Sequence, residues 1–397
     1  MEIIPILLMF LGHLWVDASQ GILPVALTQL KELFALNYFQ VGVLMMVLNL
    51  TSSVIQPVFG IFSDRFSTGW FVPVGVLWTA VTMGLLGWAP NYAFALVLVG
   101  LAGLGTAAFH PRAMMAVFFS SGTRRGLSAA IFATGGNLGF AIGPVVGGFL
   151  ILGFGLHATL GLVPFALLLS LAILFYPSNF LKRESPRRDQ KRDTPETTLA
   201  IPWVSIIAVC LIVTLRSWVY ISLLTYLPMF LETKGVPLSM GSLMLTVFLA
   251  AGAAAGLYGG HLSDRFGRRR VIVVTHLLYP ILASLFIVLD GAWLWLLAAA
   301  SGAALLASFS VTIVLAQELL PRHLGLASGL ILGLGFGTGG IGSALSGYLA
   351  DSFGLHTTMW ILAVAPLIAA VFPAFIRPIS QGLSVAGDIS VVQGGKA

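Results

Sequence analysis

The feature that most constrains the fold of this chain is a series of about twelve long apolar runs, separated by short segments that carry glycine, proline or charge. Each run is continuous and close to the roughly 20 residues that an α-helix needs to cross a lipid bilayer. Hydrophobic residues make up 58% of the 397 residues and charged residues only 9%, so lipid must solvate most of the surface. Helices are favoured over a β-barrel because the runs do not alternate, and a helix satisfies its own backbone polar groups.

These runs predict an all-α integral membrane protein with twelve transmembrane helices in two pseudo-symmetric six-helix bundles. The predicted spans of the first half are 4–29, 40–63, 70–89, 93–119, 126–150 and 157–176. Those of the second half are 202–231, 239–262, 271–290, 292–319, 325–351 and 357–376. We predict an N-terminal bundle over 1–176, a charged cytoplasmic linker over 177–200, a C-terminal bundle over 201–377 and a loose tail over 378–397.

Lysine and arginine cluster in alternate loops, which predicts how the chain lies in the membrane. They occur at Arg65, around Arg124, in the run 182–192 and in the run 265–270. By the positive-inside rule, both termini and the linker are cytoplasmic, in a multi-pass protein of the inner membrane. This orientation accounts for the formal charge of +6, and no basic soluble domain is found that would bind nucleic acid.

A short loop motif occurs twice, 200 residues apart, which indicates that one half of the chain is a duplicate of the other. The first copy runs from Gly60 to Phe66 and the second from Gly260 to Arg270. We predict that these loops form a conformational latch at the cytoplasmic mouth, where carboxylates pair with arginines or cap a helix. The alternative is an arginine run that only sets topology. The predicted latch residues are Gly60, Asp64, Arg65, Gly260, Asp264, Arg265, Gly267, Arg268 and Arg269.

The fifth span carries small residues spaced by four around a proline. These residues are Gly139, Gly143, Pro144, Gly147 and Gly148. Small residues allow helices to approach closely, and the proline bends the segment. Together with the repeated loop, this segment resembles the major facilitator superfamily, whose antiporters carry such a motif in helix 5.

Within that superfamily, the segments 12–20, 109–111 and 317–329 resemble the fosmidomycin-resistance type of exporter. The resemblance implies a twelve-helix exporter, working as a monomer, that expels small polar or amphiphilic compounds against entering protons. Two departures stand out. Arg112 follows His110-Pro111 where that type tends to have an acidic residue, and the first loop motif lacks the Gly-Arg-Arg ending of the second.

Ionisable groups within the spans cost roughly 2.5 to 3.5 kcal/mol each to insert, so they usually face a cavity and work there. Asp17 lies near the middle of the first span, with His13 one turn before it and Gln20 one turn after it. All three therefore share one helical face. We predict that Asp17 and His13 carry a coupling proton, under the influence of a nearby Arg216. The alternative is a static buried pair of Asp17 and Arg216 that holds the halves together.

In the superfamily architecture, helices 1, 4, 7 and 10 line a central cavity, so both halves contribute to one site. The predicted substrate-binding residues are Gln20, His110, Arg112, Arg216, Tyr220, Gln317, Glu318 and Asn137. The basic members predict an anionic substrate. Structural alternatives stay open, such as snorkelling for Arg112 and a surface ion pair for Glu318. Asp351 is interpreted as a boundary residue at an external helix end.

The sequence therefore predicts a proton-coupled secondary transporter that exports a small anionic or amphiphilic compound. Uptake or facilitated diffusion of an organic anion is the alternative on the same fold. An enzyme is disfavoured because no nucleophile is paired with a base, and a receptor is disfavoured because no sizeable soluble domain is found. We predict no cofactor and no metal site. The predicted partners are the small-molecule substrate, protons and membrane lipids, which the basic linker would contact.

Overall fold

The computed structural model describes residues 1–66, 68–176, 181, 202–320 and 324–376. Within these residues, twelve helical spans are long and apolar enough to cross a membrane, which confirms the predicted number and class. We label them α1 (Ile3–Leu33), α2 (Tyr38–Ser63), α3 (Phe71–Trp88), α4 (Tyr92–Ser120), α5 (Arg125–Phe154), α6 (Leu156–Phe175), α7 (Trp203–Thr233), α8 (Leu238–Phe266), α9 (Arg268–Val288), α10 (Trp293–Leu319), α11 (Gly329–Phe353) and α12 (Leu355–Phe375). No end differs from its predicted position by more than four residues.

Several spans contain breaks in the regular helix. The α-helix of α1 is interrupted at Ile22, and α2 passes through a π-helical turn at Leu50–Val54. In α10 the break falls at Ala307 and Ser308, between two α-helices. Such interruptions frequently lie at functional sites, and the one in α10 leaves Ser308 fully buried in the C-terminal half.

The first six spans and the last six form two halves that meet along two lines of contact. Between the halves, α2 packs against α11 and α5 packs against α8. Within the halves, α1 packs most extensively against α5, and α7 packs in the same way against α11. These matching pairs follow the duplication seen in the sequence. Large apolar side chains cover the outer surface, among them Phe149, Leu168 and Phe175, each at least 67% exposed, as a lipid-facing surface requires.

The predicted linker over 177–200 lies outside the described residues except for Leu181, and so does the predicted tail over 378–397. The domain boundaries at these segments therefore stay a prediction.

The two halves are closed against each other at the end opposite the arginine-rich loops, which we call the closed end. Asp351 of α11 accepts hydrogen bonds from the backbone N–H groups of Tyr38, at 2.8 Å, and of Phe39, at 2.9 Å. A carboxylate in this position caps the first turn of α2 and complements its helix dipole. Tyr226 of α7 donates its hydroxyl to the backbone carbonyl of Tyr38 at 2.9 Å. Asp351 is thus an inter-half contact, beyond the boundary role that the sequence indicated.

Candidate transport site

Asp17 of α1 lies at the centre of a buried polar cluster, the Asp17 cluster, which also contains His13, Gln20 and His110. Asp17 is only 4% exposed. Its Oδ2 lies 3.2 Å from His13 Nε2, and its Oδ1 lies 3.6 Å from His110 Nε2 of α4. Gln20 donates its side-chain amide to Oδ1 at 3.5 Å. The structure therefore brings together the three residues that share a helical face and adds His110 from another span.

The contacts of His13 orient its ring so that Nε2 faces the Asp17 carboxylate. His13 Nδ1 lies 2.8 Å from the backbone carbonyl of Phe132, which can only accept, so Nδ1 carries a hydrogen. The His13 ring also stacks on the Phe132 ring, with centroids 4.2 Å apart, which fixes its orientation. In a neutral imidazole, Nε2 would then present a lone pair to a carboxylate oxygen 3.2 Å away, and the two would repel. A proton on either Nε2 or Oδ2 would turn this contact into a hydrogen bond.

The glycines of the helix 5 motif line the contacts of α5 with α1 and α8. A Cβ added at Gly139 would lie 3.0 Å from a backbone nitrogen of α1, and one at Gly143 would lie 2.5 Å from a Cα atom of α1. A Cβ at Gly147 would lie 3.1 Å from a side chain of α1, whereas one at Gly148 would lie 2.7 Å from a serine hydroxyl of α8. Pro144 lies inside α5. The motif thus occupies the places where α5 approaches its neighbours most closely.

Gly136, just before that motif, leaves the space that the Asp17 cluster fills. A Cβ at this position would lie 2.7 Å from Asp17 Oδ2 and would overlap His13 Nε2. The absence of a side chain on α5 therefore allows the carboxylate and the imidazole to meet.

Arg216 of α7 is the second buried charged group, and it lies in the C-terminal half. It is 1% exposed, and its guanidinium lies over the Phe309 ring, 5.2 Å from the ring centroid. Its Nη1 donates to the hydroxyls of Ser308, at 3.3 Å, and Thr312, at 3.1 Å. Among the described residues, Arg216 forms no ion pair. A buried guanidinium without a counter-ion is costly, which points to a ligand that supplies the negative charge.

Arg216 lines a small cleft between α7, α10 and α11. Tyr220, one turn after Arg216, lines the same cleft. Asp17 and Arg216 do not form the direct pair that the sequence suggested. The break in α10 presents Ser308 to Arg216, so the guanidinium bonds within its own half while Asp17 bonds to histidines in the other.

Other predicted substrate residues lie apart from these two groups. Arg112 is buried and donates Nη2 to the backbone carbonyl of Leu181 and Nη1 to Met115 Sδ at 2.8 Å. It follows His110 by two residues, so it projects from a different side of α4. Asn137 lies exposed on α5. Gln317 is partly buried on α10, next to Glu318, whose contacts with Arg268 are described below.

The predicted latch is a network around Arg268 in the second copy of the loop motif. Arg268 Nη1 pairs with Asp264 and donates to Ser263 at 2.5 Å, and its Nη2 donates to Glu318 of α10 at 3.0 Å. Arg269 donates to two backbone carbonyls at the end of α12, at 2.7 and 3.0 Å. These bonds tie the α8–α9 loop to α10 and α12, all within one half. Glu318 therefore serves this network.

The glycines of the loop motif have distinct settings. Gly267 has a φ of +90°, a conformation that favours glycine, and it separates α8 from α9. Gly260 faces α10, where an added Cβ would lie 3.3 Å from a serine hydroxyl, and Gly60 faces α4. Arg265 stacks on the ring of the next residue, with 5.5 Å to the centroid. The side chains of Asp64 and Arg65 lie outside the described part of the structure.

Sequence reasoning missed His276, in the interior of α9. It is 2% exposed and donates from Nδ1 to the backbone carbonyl of Ile272 at 2.8 Å. A histidine within a long apolar span is itself a signal, because such residues are rare at bilayer depth. Asp351 carried no comparable signal, since its partners lie more than 300 residues away in sequence.

The Asp17 cluster is also the one group of described residues whose side chains could hold a metal ion. Ligand atoms of His13, Asp17 and His110 lie within 4.8 Å of one another, and histidine with carboxylate is a donor set that zinc accepts. The sequence predicted no metal here. The 3.2 Å contact between His13 and Asp17 does not require a metal ion, because a proton between the two atoms would account for it. A chelator in the transport assay keeps any bound metal from affecting the result.

Twelve membrane-length helices in two similar halves, with buried ionisable groups in each half, are the architecture of a membrane transporter. The chain belongs to the major facilitator superfamily, whose family model matches residues 9–247 and 232–387. Members of this family are secondary transporters, so the expected family and the coarse function are confirmed.

Relatives and solved structures support the same assignment. The chain is 33% identical over 391 residues to the uncharacterized MFS-type transporter YfnC of Bacillus subtilis (strain 168), covering 96% of this chain and 94% of that protein. It is 31% identical over 371 residues to the fosmidomycin resistance protein of Escherichia coli (strain K12), covering 90% and 89%. The crystal structure of a bacterial homologue of the human lysosomal transporter Spinster shares the fold, with a TM-score of 0.79 at 17% identity over 94% and 96% of the two chains.

Proposed function

We propose that the protein is a proton-coupled antiporter that exports a small anionic or amphiphilic compound by alternating access. A buried carboxylate in contact with a histidine in one half, and a buried guanidinium that pairs with no carboxylate among the described residues in the other, support this function. The relative named for fosmidomycin resistance supports export. A probable nitrate/nitrite antiporter of Thermus thermophilus, 23% identical over 256 residues, supports both antiport and an anionic cargo.

The observation that carries proton coupling is the 3.2 Å contact between His13 Nε2 and Asp17 Oδ2, which is favourable when the two atoms share a proton. When that proton leaves, a lone pair of His13 faces the Asp17 carboxylate at 3.2 Å, and the pair repels. His110, which lies on α4, can then stabilise the Asp17 carboxylate through its other oxygen, Oδ1. The two protonation states therefore favour different packings of α1 against α4 and α5. A transporter of this kind needs two such states whose populations the proton and the substrate can shift.

Flux into proteoliposomes tests proton coupling. The wild-type protein is expected to move labelled fosmidomycin against its gradient when a pH gradient is imposed in chelator-treated buffer. The Asp17→Asn variant should lose pH-driven flux by at least roughly a hundredfold, the loss typical of a group that transfers a proton. It should keep exchange of labelled for unlabelled substrate.

The Asp290→Asn variant is the matched control, because Asp290 is exposed and pairs with Lys234 away from the Asp17 cluster. Full pH-driven flux in the Asp17→Asn variant would contradict the assignment of the coupling proton.

A second mode, uptake of an anion together with a proton, is favoured by one observation. Asp17 and Arg216 are ionisable groups of opposite sign that are buried in the two halves, at 4% and 1% exposure. Protonation of Asp17 removes a negative charge and should strengthen anion binding near Arg216, which favours movement in the same direction. Because asparagine mimics the neutral carboxyl, tighter anion binding by Asp17→Asn supports cotransport, and weaker binding supports antiport. Facilitated diffusion predicts flux that is independent of the pH gradient.

Membrane orientation and the latch belong to the same proposal. Both termini and the linker lie on the cytoplasmic side of the inner membrane, where basic linker residues would contact anionic lipid headgroups. The protein acts as a monomer, and the Arg268 network holds the α8–α9 loop in one of the two transport conformations. Green fluorescent protein fused after Ala397 should fluoresce, since it matures in the cytoplasm. A dark fusion with normal membrane insertion would contradict the orientation.

A further inference from the structure

Arg216 is arranged to receive an anion along one edge of its guanidinium. Its Nη1 is bonded to the hydroxyls of Ser308 and Thr312, and these bonds fix the plane of the group. The opposite edge, formed by Nε and Nη2, has no hydrogen-bond acceptor among the residues that the structure describes. That edge presents two parallel N–H groups, the geometry that matches two oxygens of a carboxylate or a phosphonate.

The cleft that Arg216 lines is apolar apart from the guanidinium and the hydroxyl groups of Ser217 and Tyr220. Phe309 and Phe336 contribute aromatic rings from α10 and α11, and the Phe309 ring already stacks on the guanidinium. Gly335, between these walls, keeps α11 from filling the space next to Ser217, where an added Cβ would lie 3.1 Å from the serine hydroxyl. Walls of this kind favour a flat apolar body and disfavour a strongly hydrated inorganic anion.

We propose that this cleft is the subsite for an organic anion with a flat aromatic or unsaturated body, whose oxyanion lies on the Nε and Nη2 edge of Arg216. This inference rests on the proposed transport function and adds the class of substrate. It also assigns the two cargoes to different halves. The proton is held by the Asp17 cluster and the anion by Arg216.

Equilibrium binding to the detergent-purified protein, by calorimetry at fixed pH and without any gradient, tests the subsite separately from transport. Benzoate and phenylphosphonate supply a ring with an oxyanion and are both expected to bind. Benzamide keeps the ring without the charge, and acetate keeps the charge without the ring. Each should bind at least roughly tenfold more weakly than benzoate, since each lacks one of the two interactions. The ratio of benzoate to phenylphosphonate shows which oxyanion the edge prefers.

Variants identify the residues responsible. Arg216→Lys keeps the charge but loses the fork of two N–H groups, so benzoate should bind at least roughly tenfold more weakly. Phe336→Leu removes a ring from the cleft wall and should bring the affinity for benzoate towards that for acetate. Arg270→Gln removes a guanidinium from the exposed start of α9 and should leave benzoate binding as in the wild-type protein. Thermal unfolding of each variant shows whether it is folded.

Equal affinities for benzamide and benzoate in the wild-type protein would overturn the inference, whatever the variants do. Unchanged benzoate affinity in a folded Arg216→Lys variant would overturn it as well. The Asp17→Asn variant separates the two proposals, because it should lose pH-driven flux while still binding benzoate. If the wild-type protein binds benzoate but shows no pH-driven flux, the subsite stands and proton antiport fails.

Discussion

Replacement of Asp351 by asparagine is expected to loosen the contact between the two halves at the closed end. The Asp351 carboxylate accepts both backbone N–H bonds of Tyr38 and Phe39, at 2.8 and 2.9 Å, where α2 begins. Asparagine has nearly the same shape, but it has no charge, and it offers one acceptor oxygen instead of two. The change therefore removes the charge at the start of α2 and one of the two hydrogen bonds.

The size of the effect follows from these two losses. A charge at a helix N-terminus contributes typically 0.3 to 1 kcal/mol, and a net hydrogen bond contributes a similar amount. Because Asp351 is exposed, we expect a combined loss of about 1 to 2 kcal/mol. If only the closed conformation contains these bonds, the ratio of closed to open molecules falls roughly 5- to 30-fold.

Distances between spin labels measure that ratio. Leu33 and Phe353 lie at the closed end, one in each half, and they are 60% and 63% exposed, so cysteines there accept labels. Cys210 is the single native cysteine, and Cys210→Ser provides a clean background. Double electron–electron resonance should show fewer short distances in Asp351→Asn than in the parent protein.

Asp290→Asn serves as the control for the contact at the closed end. Asp290 is also an exposed carboxylate, but it pairs with Lys234 of its own half at 2.9 Å. This variant should keep the distance distribution of the parent protein. If Asp351→Asn and Asp290→Asn give the same distribution, the carboxylate of Asp351 does not stabilise the closed end and the reasoning is wrong.

Three further changes follow from close contacts. A Cβ at Gly42 would lie 2.6 Å from a backbone oxygen of α11. Gly42→Ala should therefore keep the two halves apart at the closed end and slow flux in proteoliposomes at least roughly tenfold. An unchanged rate would contradict this. Gly136→Ala should displace the Asp17 carboxylate, 2.7 Å from the added Cβ, and remove pH-driven flux while calorimetry still detects benzoate binding. Arg268→Lys weakens the bond to Glu318 and should lower the unfolding temperature by about 1 to 2 °C. An equal or higher unfolding temperature would show that the Arg268 network does not stabilise the fold.

The sequence by itself determined the number of spans, their ends and the face that carries His13, Asp17 and Gln20. Run length is enough to define a membrane helix, because the bilayer thickness sets the number of residues needed. The spacing of three and four residues is enough to place side chains on one face, because the helical repeat is local. The structure agrees on each of these features.

Only the tertiary structure decided which distant groups meet. His110 reaches Asp17 because α4 packs beside α1, and Arg216 bonds to Ser308 because α10 breaks at that point. The sequence suggested instead that Arg216 would act directly on Asp17. Rotation of each helix about its axis and the position of its breaks depend on packing against remote segments, and no local spacing encodes them. The partners of a buried charge are therefore set by the assembled bundle.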